Sequence, residues 1–174
     1  MAVEIVPVWK HVSRELEVEL TQFWIDNHAI ADQQGAVGRA SQVVCLARCE
    51  QGAIVGVSTV YPRYVPRLRQ TMYYYRNFIA ADFRGKQLAP AFLLKSKEVL
   101  QAHNQACPES RCLGIIIELE NQSLAAHRNQ AQWSEGFTFI GYSPRGLHLR
   151  VWYFEGARLS PPAFVSQVAR AHHG

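Results

Sequence analysis

The chain has 174 residues, of which 48% are hydrophobic and 18% are charged, and its formal net charge is +4. This composition excludes an intrinsically disordered chain, and the length predicts one domain with its own core. No apolar run reaches the roughly 18 residues that a membrane-spanning helix needs, and the first residues lack the basic and apolar regions of a signal peptide. We therefore expect a cytoplasmic protein with no membrane partner.

The N-terminal part predicts a strand, an amphipathic helix and a β-hairpin. Ser13 is the candidate N-cap of the helix, because three glutamates follow it near the positive end of the helix dipole. Residues 29–42 have weak periodicity and two glycines, which indicate a loop with room for a short second helix. The predicted bounds are 3–9 for the strand, 13–28 for the helix, and 42–49 and 53–61 for the hairpin strands.

The centre of the chain predicts a strand, a basic turn and a helix in immediate succession. Residues 73–80 are aromatic and β-branched, residues 81–86 form a turn, and residues 88–100 repeat apolar side chains at helical spacing. The first N–H groups of a helix lack internal partners, and the helix dipole adds positive charge there. This arrangement predicts a site for an anion, above all a phosphate.

The C-terminal part predicts three further strands and two further helices. Residues 113–119 are a continuous apolar run, typical of a strand that is covered on both faces. Gly136 suits the end of a helix, and the turn at 143–146 suits a hairpin. The predicted bounds are 113–119, 137–142 and 147–154 for the strands and 124–135 for the helix. The tail at 156–174 is predicted to have a weak helix after Pro162. Connecting segments are predicted at 62–70, before the central strand, and at 102–111. The four cysteines lack zinc-ligand spacing, so we predict no metal site.

Residues 78–89 read Phe-Ile-Ala-Ala-Asp-Phe-Arg-Gly-Lys-Gln-Leu-Ala, and this run resembles the acyl-CoA-binding motif of the GCN5-related N-acetyltransferases. That motif has Gln or Arg, two residues, Gly, one residue, and Gly or Ala. Arg84 fits the first position and Ala89 the last, whereas Gln87 stands where the middle glycine is usual. Pro90 follows where the family often has a residue with an N–H. We expect Gln87 to be tolerated through a helical, not a left-handed, backbone conformation.

The resemblance implies an α/β (α+β) fold in one domain over residues 1–155. The family has a mixed, mostly antiparallel sheet of six to seven strands flanked by helices, with strands four and five splayed apart. Pantetheine lies in that gap and bonds to strand four like an added strand. The implied acyl-CoA contacts are the backbone of Asn77, Phe78 and Ile79 for pantetheine, and Arg84 with the N–H groups of Gly85, Lys86, Gln87, Leu88 and Ala89 for the pyrophosphate.

The resemblance also suggests where the proton-transfer groups lie. Glu118 falls where some family members place their general base, and Glu120 lies two residues on, which predicts the same face of the strand. We expect burial to raise the pKa of Glu118 toward neutrality. The alternative is a structural carboxylate paired with an arginine. The helix after strand five has no tyrosine for the usual acid, so one of Tyr73, Tyr74 and Tyr75 at the start of strand four is a candidate. Tyr73 is the first choice, and sheet packing is the alternative for these tyrosines.

These residues predict transfer of an acyl group, foremost acetyl from acetyl-CoA, to an amine acceptor. The alternative is a catalytically weak or inactive binding module on the same fold that uses CoA or protein contacts. Because the sequence departs from the family motif, that alternative stays open. A third hypothesis, a nucleic-acid binder, is weaker, because hairpin connectivity already accounts for the nearby tyrosines. The acceptor amine has no recognisable code in the sequence, and a homodimer is compatible with it. The arginines that would serve nucleic-acid binding are Arg63, Arg67, Arg69 and Arg76.

Overall fold

The computed structural model describes residues 2–85 and 87–161. Lys86 and the weak helix predicted after Pro162 lie outside these described residues. The described elements are β1 (Val3–Pro7), α1 (Arg14–Asp26), α2 (Gln33–Ala40), β2 (Val43–Cys49), β3 (Ile54–Val65), β4 (Gln70–Ile79), a 3₁₀ turn (Ala81–Phe83), α3 (Leu88–Ala106), β5 (Cys112–Leu119), α4 (Gln122–His127), β6 (Thr138–Tyr142) and β7 (His148–Tyr153).

The strands form a seven-stranded sheet in the order β1-β2-β3-β4-β5-β7-β6. β1 with β2, β2 with β3, β5 with β7 and β6 with β7 pair antiparallel, whereas β4 and β5 are parallel. This confirms the predicted fold class of a mixed, mostly antiparallel sheet flanked by helices. The splay of strands four and five, and the single-domain boundary at residue 155, stay predictions.

The chain divides into two compact units, and β3 and β4 run through both. The first unit comprises Met1–Tyr61 and Tyr75–Ala106, and the second comprises Pro62–Tyr74 and Cys107–Gly174. The first unit therefore holds β1, β2, α1, α2 and α3. The second holds β5, α4, β6 and β7.

In the first unit, α1 forms as the sequence predicts. The Oγ of Ser13 accepts a hydrogen bond from the Leu16 N–H at 3.1 Å, which satisfies one donor at the helix start. Leu20, Phe23 and Trp24 are buried and form the core with α2 and the inner faces of β2 and β3. The loop predicted at 29–42 contains α2, which begins after its N-cap Asp32.

Helix α3 packs against β3 through one close approach. A Cβ built on Gly56 would lie 2.7 Å from the Phe92 ring, so the bare glycine backbone makes room for that ring. The Oγ atoms of Ser58 and Ser96 form a buried hydrogen bond of 2.9 Å between the same two elements. α3 continues to Ala106, past the predicted end at residue 100.

In the second unit, the β6–β7 hairpin carries a β-bulge between Phe139 and Gly141. Arg67 stabilises this bulge, because its Nη1 donates to the Ile140 carbonyl at 2.5 Å and its Nη2 donates to the Tyr142 carbonyl at 2.9 Å. A Cβ on Gly141 would lie 1.7 Å from Arg67 Nη1, and the φ of Gly141 is 121°. Glycine suits this position, because residues with a Cβ rarely adopt such a φ and a Cβ would displace the Arg67 guanidinium group.

The connection predicted at 62–70 is mostly strand, so that prediction is wrong. β3 continues to Val65, β4 begins at Gln70, and only the tight turn between them is irregular. The side chain of Gln70 exchanges two hydrogen bonds with the Ser160 backbone, at 2.9 and 3.0 Å. Val65 and Gln70 are both buried. Burial and this distant contact outweigh the local turn propensity of the two prolines, Pro62 and Pro66.

The helix predicted at 124–135 is also wrong beyond its first part, because α4 ends at His127. Asn121 caps it as expected, accepting from the Leu124 N–H at 3.0 Å. After α4 the backbone carbonyls bind other partners. Trp133 Nε1 donates to the Arg128 carbonyl at 3.0 Å, and the Phe139 N–H donates to the Ala131 carbonyl at 2.8 Å. These carbonyls accept from the Trp133 ring and from β6, and not from N–H groups four residues on, so the segment packs against the hairpin.

Two features are absent from the described residues. No helix within 2–85 and 87–161 is long and apolar enough to cross a membrane. The same residues contain no group of three or more His, Cys, Asp or Glu side chains that could hold a metal ion.

Candidate functional site

The first candidate site is the junction between β4 and α3 in the first unit, and we call residues 84–88 the basic turn. The Ala80 N–H donates to the Val55 carbonyl at 2.9 Å, and the 3₁₀ turn then redirects the chain. Arg84 Nε donates to the Ile79 carbonyl at 2.9 Å, so the Arg84 side chain folds back over the end of β4. Gly85 has a φ of 75°, and a Cβ there would meet only open space.

Gln87 adopts a left-handed conformation with a φ of 58°, so the prediction of a helical conformation is wrong. The basic turn therefore needs positive φ at Gly85 and again at Gln87. This conformation is unfavourable by roughly 1–2 kcal/mol for a residue with a Cβ, whereas glycine adopts it without that cost. The left-handed backbone at Gln87 is therefore one that the glycine of the motif would adopt more easily.

Helix α3 supplies the anion-binding donors of this site. It begins at Leu88, so the N–H groups of Leu88 and Ala89 belong to its first turn and lack intrahelical partners. Pro90 also lies in that first turn, where its missing N–H costs no helical hydrogen bond. The first turn carries no acidic residue, and α3 is 19 residues long. The helix end therefore keeps its attraction for an anion.

The end of β4 provides the backbone that the resemblance assigns to pantetheine. Asn77 is exposed, and Phe78 packs edge to face against Phe23 at 5.8 Å between ring centroids. The Ile79 carbonyl already accepts the Arg84 hydrogen bond. Its second lone pair can still accept a further donor.

The second candidate site lies in the second unit, and we call Tyr74, Glu118, Glu120 and Arg145 the carboxylate cluster. Glu118 is on β5 with only 6% of its side chain exposed, whereas 69% of Glu120 is exposed. Arg145 Nε donates to Glu118 Oε1 at 3.0 Å, and Arg145 Nη2 donates to Glu120 Oε1 at 2.8 Å. The two carboxylates therefore share a face, as predicted, and one arginine binds both.

Glu118 has a lowered pKa, so the expectation of a raised pKa is wrong. Burial is the largest single influence and acts to raise the pKa of Glu118. Hydrogen bonds from Arg145, Ser143 and Tyr74 favour the ionised form and together outweigh burial. Glu118 is thus an ionised carboxylate that already has partners, as the structural alternative in the sequence analysis describes.

The tyrosine beside Glu118 is Tyr74, not Tyr73. Tyr74 Oη donates to Glu118 Oε2 at 2.9 Å. Tyr73 is its neighbour along β4, so it points to the opposite face, where it packs edge to face with Phe154 at 6.2 Å. Burial raises the pKa of Tyr73. The predicted role of Tyr73 as general acid is untested, but the hydrogen-bonded position belongs to Tyr74.

Sequence reasoning missed Arg145 as a member of this cluster, and it named Tyr74 only as one of three neighbouring candidate tyrosines. Arg145 lies in the predicted hairpin turn, where the Ser143 N–H donates to the Leu147 carbonyl at 2.8 Å. The antiparallel register of β5 with β7 pairs Leu119 with His148, which brings that turn to the end of β5. The sequence indicates that Arg145 lies near Glu118 only when the pairing of β5 with β7 is known.

The arginines that the nucleic-acid hypothesis would use have intramolecular contacts. The Arg63 guanidinium lies 4.7 Å from the Tyr74 ring centroid, and Arg67 binds the carbonyls of β6. Arg76 Nη2 donates to Gln42 Oε1 at 2.7 Å. These contacts give Arg63, Arg67 and Arg76 structural roles.

Comparison with known proteins identifies the architecture. No protein-family model and no curated protein sequence matches the chain. An acetyltransferase of the GNAT (GCN5-related N-acetyltransferase) family from Streptococcus pneumoniae is similar in structure, with 16% identity, a TM-score of 0.58, and coverage of 88% of this chain and 99% of that one. A putative acetyltransferase from Salmonella typhimurium, solved with acetyl-CoA, has 18% identity, a TM-score of 0.56, and coverage of 93% and 98%.

A third solved structure is the ribosomal-protein-S18-alanine N-acetyltransferase from Escherichia coli, with 10% identity, a TM-score of 0.52, and coverage of 86% and 90%. At such identities the likeness concerns the arrangement of elements and not the acceptor. The mixed, mostly antiparallel seven-stranded sheet with its parallel β4–β5 pair and flanking helices agrees with it. The chain therefore has the fold of the GCN5-related N-acetyltransferases.

Proposed function

We propose that the protein is an acyl-CoA-dependent N-acyltransferase that moves an acetyl group from acetyl-CoA to an amine. The observation that carries this proposal is the basic turn, where two left-handed residues lead into the first turn of a 19-residue helix. Backbone N–H groups and cationic side chains at such a turn suit a pyrophosphate. The structural neighbours are acetyltransferases, and one was solved with acetyl-CoA.

In the proposed reaction, the lone pair of the amine attacks the thioester carbonyl and forms the C–N bond. The C–S bond breaks and the coenzyme leaves as a thiolate. A base takes one proton from the amine, and an acid or water protonates the sulfur. We assign the base to Glu118, with Glu120 as the alternative. Tyr74 replaces Tyr73 as the preferred acid, since its hydroxyl contacts Glu118.

The test of cofactor binding is titration of acetyl-CoA into the full chain by calorimetry, with Gly85→Asp as the variant. An aspartate there adds negative charge to the turn, so we expect at least roughly tenfold weaker binding. Gly52→Asp is the matched control, since Gly52 also has a positive φ, at 81°, and open space around its Cβ position. Equal affinity of Gly85→Asp and Gly52→Asp for acetyl-CoA would contradict the proposed site.

A second function is favoured by the state of Glu118. A carboxylate with a lowered pKa that is bound to Arg145 and Tyr74 is a weak base. A binding module that takes up CoA without rapid transfer would have this property. A thiol-release assay with acetyl-CoA and a panel of primary amines separates the two functions. Acetyl-CoA binding with no thiol release for any amine would favour the module.

A further inference from the structure

The second unit contains a pocket of about 250 Å³ between α4 and the β6–β7 hairpin. Its lining includes the rings of Phe139, Tyr142 and His148, together with Asn129 and Arg150. This pocket and the carboxylate cluster lie on opposite faces of the sheet. Arg150 pairs with Ile117, whereas Leu149 pairs with Glu118, so Arg150 and Glu118 point to opposite faces of the sheet.

The β-bulge builds the aromatic wall of the pocket. In a regular strand, residues three apart point to opposite faces, so Phe139 and Tyr142 would be separated. The extra residue in the bulge brings both rings to one face, 5.3 Å apart between centroids. His148 packs edge to face with each of them at 5.4 Å. Tyr142 remains 56% exposed, so the wall is accessible from solvent.

Arg150 gives the pocket an unbalanced positive charge. It is 1% exposed, and it has no carboxylate partner within residues 2–85 and 87–161. Its Nη1 donates to the Gln130 carbonyl at 2.7 Å and its Nη2 donates to the Arg128 carbonyl at 3.3 Å. Its buried Nε donor has no hydrogen-bond partner, and neither does the buried Nδ1 of His148.

The surroundings of Arg150 increase the need for an anion. Arg128 and Arg150 both lie against the Trp133 ring, at 4.2 and 4.3 Å from its centroid to the guanidinium carbons. Glu135 binds Arg128 at 2.6 Å, which leaves the charge of Arg150 uncompensated. A buried charge without a partner is costly, so an anion that reaches Arg150 gains a strong interaction.

We infer that this pocket binds a small aromatic carboxylate, at a site separate from the proposed acyl-CoA site. The carboxylate would lie against Arg150, whose guanidinium charge has no carboxylate partner in the described residues. A planar ring would stack among Phe139, Tyr142 and His148. A phosphate fits less well, because one free guanidinium donor and the amide of Asn129 cannot satisfy its oxygens. The volume suits a single-ring ligand, since drug-sized ligands occupy roughly 300–1,000 Å³.

The test is calorimetric titration of sodium benzoate into the full chain, with benzamide as the neutral probe of the same shape. We expect benzoate to bind at least roughly tenfold more tightly than benzamide, because a hydrogen bond to a charged group contributes more than a neutral one. Saturating coenzyme A should leave benzoate affinity unchanged. Failure of benzoate to bind, equal binding of benzamide, or displacement by coenzyme A would each overturn the inference.

Two variants locate the binding site. Tyr142→Ala should weaken benzoate binding about three- to tenfold through loss of one ring contact. Tyr64→Ala is the matched control, because Tyr64 is also 56% exposed and lies outside the pocket lining. Arg150→Met should abolish the preference for benzoate over benzamide. If that variant does not fold, the Tyr142→Ala and Tyr64→Ala pair decides alone, and equal affinities of this pair for benzoate would overturn the inference.

Discussion

The basic turn and the carboxylate cluster differ in how far the chain itself satisfies their polar groups. The basic turn opens α3 with the N–H groups of Leu88 and Ala89, which have no intrahelical partners. In the carboxylate cluster, Glu118 is bound by Arg145 and Tyr74. The first region is prepared to bind an anion. The second must release an internal contact before it can accept a proton.

The largest expected effect tests whether the carboxylate cluster takes part in chemistry at all. Glu118→Gln keeps the shape of the side chain and removes the base, so kcat should fall by about 10²–10⁴-fold with acetyl-CoA affinity near that of the wild type. Kinetics with a reactive amine and calorimetry measure the two quantities. Glu120→Gln, at the more exposed partner of Arg145, should change kcat by less than about threefold if Glu118 is the base. Equal losses of rate and binding in Glu118→Gln would instead indicate a structural carboxylate.

A smaller effect is expected when the carboxylate cluster loses its arginine. Arg145→Gln removes the cation beside Glu118, so the pKa of Glu118 should rise, because burial is then opposed by fewer interactions. The acid limb of the pH–rate profile should then move to higher pH. Carboxyl NMR titration of Glu118 measures the same pKa without needing an active enzyme. Arg111→Gln, at the other end of β5, loses the same charge and should leave both measurements unchanged.

The lowered pKa of Glu118 also determines the direction in which protein stability changes with pH. The folded-state pKa of Glu118 lies below its ordinary value of 4.5, so its ionisation stabilises the folded protein above that pH. The stabilisation is lost as the pH falls through the folded-state pKa. Chemical denaturation should therefore show a gap between wild type and Arg145→Gln that is present at neutral pH and closes in acid. A gap that stays constant with pH would contradict this account of Glu118.

The smallest expected effect concerns the cost built into the basic turn. Gln87→Gly removes a left-handed residue with a Cβ, so the free energy of unfolding should rise by up to about 1 kcal/mol after the added chain entropy of glycine. Thermal unfolding should show a Tm higher by roughly 2–4 °C. Gln51→Gly is the control, because Gln51 is an exposed turn residue without a positive φ and should lose stability. A lower Tm for Gln87→Gly would show that the side chain makes a compensating contact.

The sequence predicts the first of these regions better than the second, because its signals are local. The aromatic strand, the Gly85 turn and the apolar periodicity of α3 all lie within about thirty residues. The predicted start of α3 at Leu88 is confirmed, whereas β4 begins three residues earlier and α3 ends six residues later than predicted. The left-handed conformation of Gln87 was not predictable in this way. Local propensity cannot show that a turn needs a positive φ at two positions, Gly85 and Gln87.

The predictions fail where distant side chains decide the structure. The helix expected at 124–135 ends at His127 because Arg150 and Trp133 bind the carbonyls that follow. The lowered pKa of Glu118 depends on Arg145, which reaches it through strand pairing and not through sequence neighbourhood. Single-sequence patterns contain the residue types for these contacts but not their partners.

The Arg67 contact has a consequence for association between chains. β6 is the edge strand of the sheet, and an edge strand offers unpaired carbonyls to any strand that approaches it. Arg67 occupies the carbonyls of Ile140 and Tyr142 with a charged group, and the bulge bends the strand between them. The hydrogen-bonding pattern that an incoming strand would need is therefore already used. Arg67 thus hinders strand pairing at the Ile140 and Tyr142 end of this edge of the sheet.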